Sequence, residues 1–255
     1  MRIGILGGTG PAGSSLAARL ASIGYEVVIG SRSKYRAMEA VDHILERNPE
    51  LIERLQPGDN MTAADSDLVV IATPWDSAAT TAQEHEPALR GKVVVSMANA
   101  LVRVGHEFQP LVPPRGSVAA HVQAAVPSCR VVAAFHHLPA KELGNLGAPI
   151  DSDVLICGDD PEAVAQVSEI VTKIPGCRPL DAGELSNATA IEAFTAVLLQ
   201  LNVRYKTRVA PKLTGIKRDP RIAAAPASSP PEQAESADGD GAAGVETSGA
   251  AAGPP

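Results

Sequence analysis

The stretch GILGGTGPAGSS, Gly4 to Ser15, limits what this chain can fold into more than any other. The apolar run RIGIL leads into it, a helical pattern PAGSSLAARLASIG leads out, and a second apolar run, EVVIGS, follows Gly24. Within it Gly8, Gly10 and Gly13 stand in G-x-G-x-x-G spacing. Between a strand and a helix, this spacing is the mark of a dinucleotide-binding turn. Gly8 is expected to allow the tight turn, Gly10 to let a pyrophosphate approach the backbone, and Gly13 to let helix and strand pack closely. Pro11 suits a first helical turn, where its missing N–H is not needed. The free amides of that turn would hold the phosphates.

The rest of the chain repeats the alternation. After EVVIGS a helical stretch, KYRAMEAVDHILERNPELIERL, breaks near Pro49. LVVIATP, KVVVSM, RVVAAF and DVLICG read as strands; TAQEHEPAL and PEAVAQVSEIVTKI read as helices. ATAIEAFTAVLLQLNVRYK is the last long helix, with Ser186 or Asn187 as its cap. Continuous apolar strands between amphipathic helices predict an α/β fold: a Rossmann-type, doubly wound, mostly parallel sheet covered on both faces. Three parts are expected: an NADP-binding domain over 1–180, a small C-terminal helical part over 181–218 completing a cleft, and a disordered low-complexity tail over 219–255. That tail is built of Ala, Pro, Gly, Ser and acids and has little apolar surface to offset the entropy of ordering.

The tail also distorts the charge. It carries −5 of the formal −7, so the body is nearly neutral, which argues against nucleic-acid binding. Cys129, Cys157 and Cys177 form no C-x-x-C pair, so buried free thiols are expected, with no disulfide and no metal site. No apolar run is long enough to span a membrane, and the N-terminus does not read as a signal peptide. A cytoplasmic protein is the expectation.

The end of the second strand selects between two dinucleotides. An NAD site places an acid there for the ribose hydroxyls. Here the sequence is VVIGSRSKYR, with Ser31 and Arg32 at the strand end, Arg36 four residues on, and Lys34 as an extra charge. A hydroxyl and an arginine fork bind a 2′-phosphate that an acid would repel. The site should therefore prefer NADP(H). The other strand ends supply the remaining rim: Thr73-Pro74-Trp75, Met97-Ala98-Asn99, the run from His136 and His137 to Pro139 and Ala140, and Asp181-Ala182-Gly183. Trp75 reads either as a wall for the nicotinamide ribose or as a packed lid over a helix end. The two histidines read either as ligand contacts or as core groups satisfied by a hydrogen bond.

The motifs GGTGPAG, GSR, TPW, FHHLPAKELGNL, CGDD and RPLDAGELSN, in that order, resemble the NADPH-dependent reductases of the deazaflavin coenzyme F420 (8-hydroxy-5-deazaflavin:NADPH oxidoreductases) over Met1 to Ile216. The resemblance implies direct hydride transfer between NADP(H) and F420, with no catalytic side chain at the reacting carbons. It implies that Thr9, Gly10, Pro11 and Ala12 line the pyrophosphate, and that Ser31, Arg32 and Arg36 hold the 2′-phosphate. It implies that Trp75 and Ala79 flank the nicotinamide side, that Asn99 and Ala140 lie near the nicotinamide, and that His136 stands at the cleft as a stabiliser of the reduced deazaflavin; His137 has no clear counterpart. It also implies a homo-oligomer. Two rival readings remain open: an NADP-dependent dehydrogenase or reductase of another small substrate, and a non-catalytic NADP(H)-sensing module. Against the first, enzymes acting on alcohols generally need a proton shuttle, often a lysine on a helix after the sheet, and the helix from Ala188 to Tyr205 has no lysine. A ferric reductase of this fold would further need a flavin or haem partner and a membrane anchor.

Overall fold

A computed structural model describes residues 1–216; the tail expected to be disordered lies outside the described residues. The glycine turn joins β1 (Arg2–Leu6) to α1 (Pro11–Ser22), and Gly24, at φ +102°, turns the chain into β2 (Glu26–Ser31). There follow α2 (Lys34–Leu45), β3 (Leu55–Asp59), α3 (Asn60–Ala64), β4 (Leu68–Ile71), α4 (Trp75–Glu84), α5 (Glu86–Leu89) and β5 (Val93–Ser96). A hairpin of β6 (Leu101–Val104) and β7 (Glu107–Pro110) leads to α6 (Val118–Ala125), β8 (Arg130–Ala133) and α7 (Ala140–Leu143). The chain continues through β9 (Ser152–Gly158), α8 (Pro161–Lys173), β10 (Cys177–Asp181) and α9 (Ala188–Tyr205).

Eight strands form one sheet in the order β3-β2-β1-β4-β5-β8-β9-β10. All pairs are parallel except β8 with β9. Side chains alternate between two cores. Ile3, Ile5, Val27, Ile29 and Val70 pack with Leu16 and Leu20 of α1 on one face, where α8 adds Val167 and Val171. Val28, Val69, Ile71, Val94 and Val131 pack with α4, α6 and α9 on the other. Burial on both faces is why these strands carry continuous rather than alternating apolar residues. The sheet order reverses between β1 and β4, and a crevice opens there at the carboxyl ends of the strands.

Several elements differ from the sequence expectation. The stretch read as a broken helix after Lys34 ends as a helix at Leu45; a 3₁₀ turn at Pro49–Leu51 follows, and Leu55 already belongs to β3. Pro57 is tolerated in β3 because that strand is the sheet's edge. The helix expected from Thr81 starts at Trp75 and breaks at His85. Neither Ser186 nor Asn187 caps α9 through its side chain: both lie in a 3₁₀ turn, and Asn187 Nδ2 donates to the Ala182 carbonyl at 2.7 Å. The three cysteines are free, and among the described residues there is no metal-binding cluster and no helix long and apolar enough to cross a membrane.

Candidate active site

The turn after β1 divides its work among glycines differently from the motif's usual reading. Gly7, not Gly8, takes the left-handed conformation, at φ +67°. A Cβ on Gly8 would approach the Ile5 carbonyl to 3.0 Å, so its bareness serves packing, while its N–H donates to the Gly30 carbonyl at 2.9 Å. A Cβ on Gly13 would sit 2.9 Å from the Gly8 Cα and 3.1 Å from the Ala72 Cβ, so its bareness lets α1 pack closely on the turns that end β1 and β4. Gly10 differs from all of these. Its φ of −75° suits any residue, and a Cβ there would meet nothing within 4 Å. The protein itself gives no reason for glycine at this position. A ligand drawn against the backbone at the start of α1 does, so the cradle fits a pyrophosphate.

Asn60 supports the turn from beneath. It is buried at the start of α3, and its Oδ1 accepts the Gly7 N–H at 3.1 Å. A Cβ on Gly30 would lie 3.0 Å from that oxygen, so the glycine in β2 opens the path.

At the end of β2, Ser31 is buried and accepts the Ser33 N–H at 3.2 Å. Arg32 and Arg36 are exposed, and among the described residues neither has an acidic partner. Lys34 does have one, Asp59, at 3.6 Å. The first turn of α2 holds no acid. Cations at a helix N-terminus oppose its dipole, whereas a bound dianion would offset both.

Beside the turn, a cleft of about 300 Å³ is lined by Ala12, Thr73, Pro74, Trp75, Asn99 and Leu101, among others. Trp75 is half-buried in the first turn of α4, and Ala79, one turn on, is buried in the core. Thr73 Oγ1 and Asn99 Oδ1 are buried without a hydrogen-bond partner. Buried polar atoms are normally paired, so both fit a ligand contact. Asn99 Nδ2 donates to the His136 carbonyl at 3.0 Å and joins this wall to the segment after β8.

That segment is held in an unusual form. Phe135 is left-handed at φ +66°, uncommon for an aromatic residue, and it begins the turn that carries the histidines. His137 is buried and half satisfied: Nε2 lies 2.9 Å from the Asp153 carbonyl, and Nδ1 is unpaired. His136 is not satisfied at all. Its side chain is fully buried, and neither ring nitrogen has a hydrogen-bond partner. Burial, and secondarily His137, lowers its pKa to about 3, so the ring is neutral. Glu192 Oε1 lies 3.9 Å from His136 Nε2, longer than a hydrogen bond. Glu192 is buried in α9, and its two oxygens accept the Val118 and Ala119 N–H groups at 2.8 and 3.1 Å, at the start of α6. Burial outweighs those bonds and raises its pKa to about 7.

Pro139 and Ala140 open α7, half-buried. Arg19 of α1 is buried and donates to the carbonyls of Leu143 at 3.0 Å, Glu142 at 3.0 Å and Asn145 at 2.6 Å. It ties the helix of the glycine turn to the loop after β8. Ala12, Thr73, Pro74, Trp75 and Asn99 thus share one cleft. Ser31, Arg32 and Arg36 lie along the rim on one side, and His136, Pro139 and Ala140 on the other. Asn60, Arg19 and Glu192 were not expected from the sequence; an arginine within the apolar pattern LAARLAS was the one visible signal.

Known proteins match this arrangement. A family model described as NADP oxidoreductase, coenzyme F420-dependent, matches residues 2–100, from β1 to the Asn99 rim. An F420-dependent NADP reductase of Methanocaldococcus jannaschii is 36% identical over 222 residues, covering 85% of this chain and 97% of the relative. The chain belongs to the F420-dependent NADP reductase family. Another member, from Methanothermobacter marburgensis, is 32% identical and covers 82% of this chain and 95% of its own length. A crystal structure from Arthrobacter sp. FB24 assigned to the same reductases superimposes with a TM-score of 0.68 at 26% identity, covering 81% of this chain and 95% of that one. The family membership extends across the glycine turn, the basic strand end and the segments after β5 and β8.

Proposed function

We propose that this chain is an oxidoreductase that transfers a hydride directly between NADP(H) and coenzyme F420. The observation that carries the reading is the likeness to a reductase of that name over 97% of the relative's length. The rim supports it: room at Gly10 for a pyrophosphate, and Ser31 with Arg32 and Arg36, neither paired with an acid among the described residues, for a 2′-phosphate. When bound, the two cofactors supply the donor and acceptor carbons. The chain's own task is to bind and orient them, with ring faces about 3–3.5 Å apart. Thr9, Pro11 and Ala12 would line the pyrophosphate. Trp75, Pro74 and Thr73 would wall the nicotinamide side, with Ala79 behind them, and Asn99, Pro139 and Ala140 would close the opposite wall. His136 would lie nearest the pyrimidine end of the acceptor. Residues 1–180 would form the NADP-binding domain and 181–218 would complete the cleft.

A cytoplasmic homo-oligomer is part of the same proposal. Phe194, Val197, Val203 and Tyr205 of α9 are exposed, and a second copy would cover them.

The test is an anaerobic mixture of protein, NADPH and oxidised F420, followed at the deazaflavin's visible absorbance and repeated with NADH and with FMN. Bleaching with NADPH and F420 alone is the expected result. Arg32→Asp should weaken NADPH binding by about 1.5–3 kcal/mol, the worth of a charge-assisted contact. Tight NADPH binding without bleaching would overturn the hydride reading and favour a different acceptor or a sensor.

A further inference from the structure

Among the described residues, the turn after β8 holds one histidine with neither ring nitrogen paired. His136 is buried and neutral, with both ring nitrogens unpaired. Its backbone is pinned on both sides: Phe135 before it is left-handed, and its own carbonyl receives Asn99 Nδ2, from a residue that lines the cleft. An unpaired buried nitrogen costs about 1–3 kcal/mol unless something binds it.

Glu192 faces one of those nitrogens and is itself held in place. The start of α6 is fully capped: Val118 and Ala119 donate to Glu192, Ala120 donates to Ser117 Oγ at 3.0 Å, and His121 donates to the Ser117 carbonyl at 3.0 Å. These bonds and the positive end of the α6 dipole favour the carboxylate, burial opposes them and outweighs them, and Glu192 is ionised above about pH 7. A neutral imidazole carries one N–H and one bare nitrogen, and a neighbour decides which is which. Oε1 lies 3.9 Å from Nε2, beyond hydrogen-bond length, so an ionised Glu192 favours the hydrogen on Nε2 through its field.

The geometry points to Glu192 as a positioning residue that holds His136 in its Nε2–H tautomer, leaving Nδ1 as a bare acceptor for a ring N–H on the pyrimidine edge of the deazaflavin. The inference rests on the F420 reading above for the identity of that ring. The tautomer itself does not. An acceptor at this point would favour a ring that presents N–H over one that presents only a carbonyl. The backbone bonds at α6 keep the carboxylate from following the imidazole elsewhere.

The experiment reads the tautomer of His136 by long-range ¹H–¹⁵N NMR on the full chain labelled at histidine, at pH 8.5, with the signal assigned by its loss in His136→Asn. Wild type should show Nε2–H. Glu192→Gln should move the population toward Nδ1–H. Ser117→Ala removes an α6 cap without touching His136 and should leave the tautomer alone. An Nδ1–H signal in wild type would overturn the inference even if Glu192→Gln fails to fold, and so would an unchanged tautomer in a folded Glu192→Gln. In turnover, Glu192→Gln should lower kcat/KM for F420 about tenfold, the size of one neutral hydrogen bond. Its affinity for NADPH should hold, and it should add nothing further in the His136→Asn background. Additive losses would mark a merely structural role. Absence of F420 bleaching in wild type would instead strike the functional reading and leave the tautomer result standing.

Discussion

At Gly10 an added methyl group would find nothing within 4 Å, whereas at Gly13 it would press on the Gly8 backbone at 2.9 Å. The two glycines of one motif are therefore kept for opposite reasons, and substitution separates them. Gly13→Ala should lower stability by about 1–3 kcal/mol, the cost of overpacking, seen as a lower urea midpoint. Gly10→Ala should unfold at the wild-type midpoint and bind NADPH roughly tenfold or more weakly, because its methyl enters the space left for phosphate. A Gly10→Ala protein that binds NADPH normally would remove the pyrophosphate from this turn. The same comparison refines the reading of Gly8, which lies in the turn beside the residue of positive φ. Spacing alone does not say which glycine carries the positive φ, and the structure gives that task to Gly7.

Among elements, legibility followed contrast in composition. β1, β2, β4, β5, β8 and β9 were plain because strands buried on both faces are unbroken apolar runs. β3 was hidden by Pro57 and Gly58, which only an edge position tolerates. The β6–β7 hairpin, α6 and α7 are short, as β4 and β5 are, but hold no unbroken run of large apolar residues, so neither composition nor periodicity marks them. The rim residues were readable because they sit at strand ends. Asn60, Arg19 and Glu192 were not, because each works across the fold, on partners 53, 124 and 74 residues away. Arg19 is the sharpest case. In a helix an arginine looks like surface, yet this one is buried against carbonyls of the loop after α7. Its guanidinium pKa is lowered by desolvation, which outweighs the opposing pull of Cys177 and of the Glu142 carboxylate. Arg19→Leu should leave those carbonyls unpaired in the interior and cost about 3 kcal/mol. At about 2–4 °C per kcal/mol for a chain of this size, the Tm measured by calorimetry should fall roughly 6–12 °C. A shift under about 2 °C would show that the loop finds other donors.

For the molecule as a whole, the two buried groups at the α6–α9 junction give its stability an uncommon pH dependence. Glu192 rises from an ordinary 4.5 to about 7, so the folded state holds its proton more tightly than the unfolded chain between those values. That contribution is full below about 4.5 and is lost as pH rises through about 7. His136 runs the other way: lowered from 6.5 to about 3, it contributes stability above 6.5 that is lost as pH falls toward 3. Between 4.5 and 6.5 the two slopes oppose each other. Other titratable groups stand near these two residues: Cys157 on β9, on which Asp181 at the end of β10 and Glu192 both act, and His137 beside His136. The Cys157 thiol is raised to about 11 and stays neutral over this range. Comparing variants with wild type cancels the exposed carboxylates common to both. Across pH 5 to 8, urea unfolding should show wild type nearly level up to about 6.5, where His136 offsets Glu192, and then losing about 1 kcal/mol or less as pH passes 7. Glu192→Gln should start lower, for want of one α6 cap bond, and, left with His136 alone, should gain stability as pH rises from 5 to 6.5. Parallel slopes in the two proteins would place the charge of Glu192 in solvent, which its burial and its two backbone donors contradict.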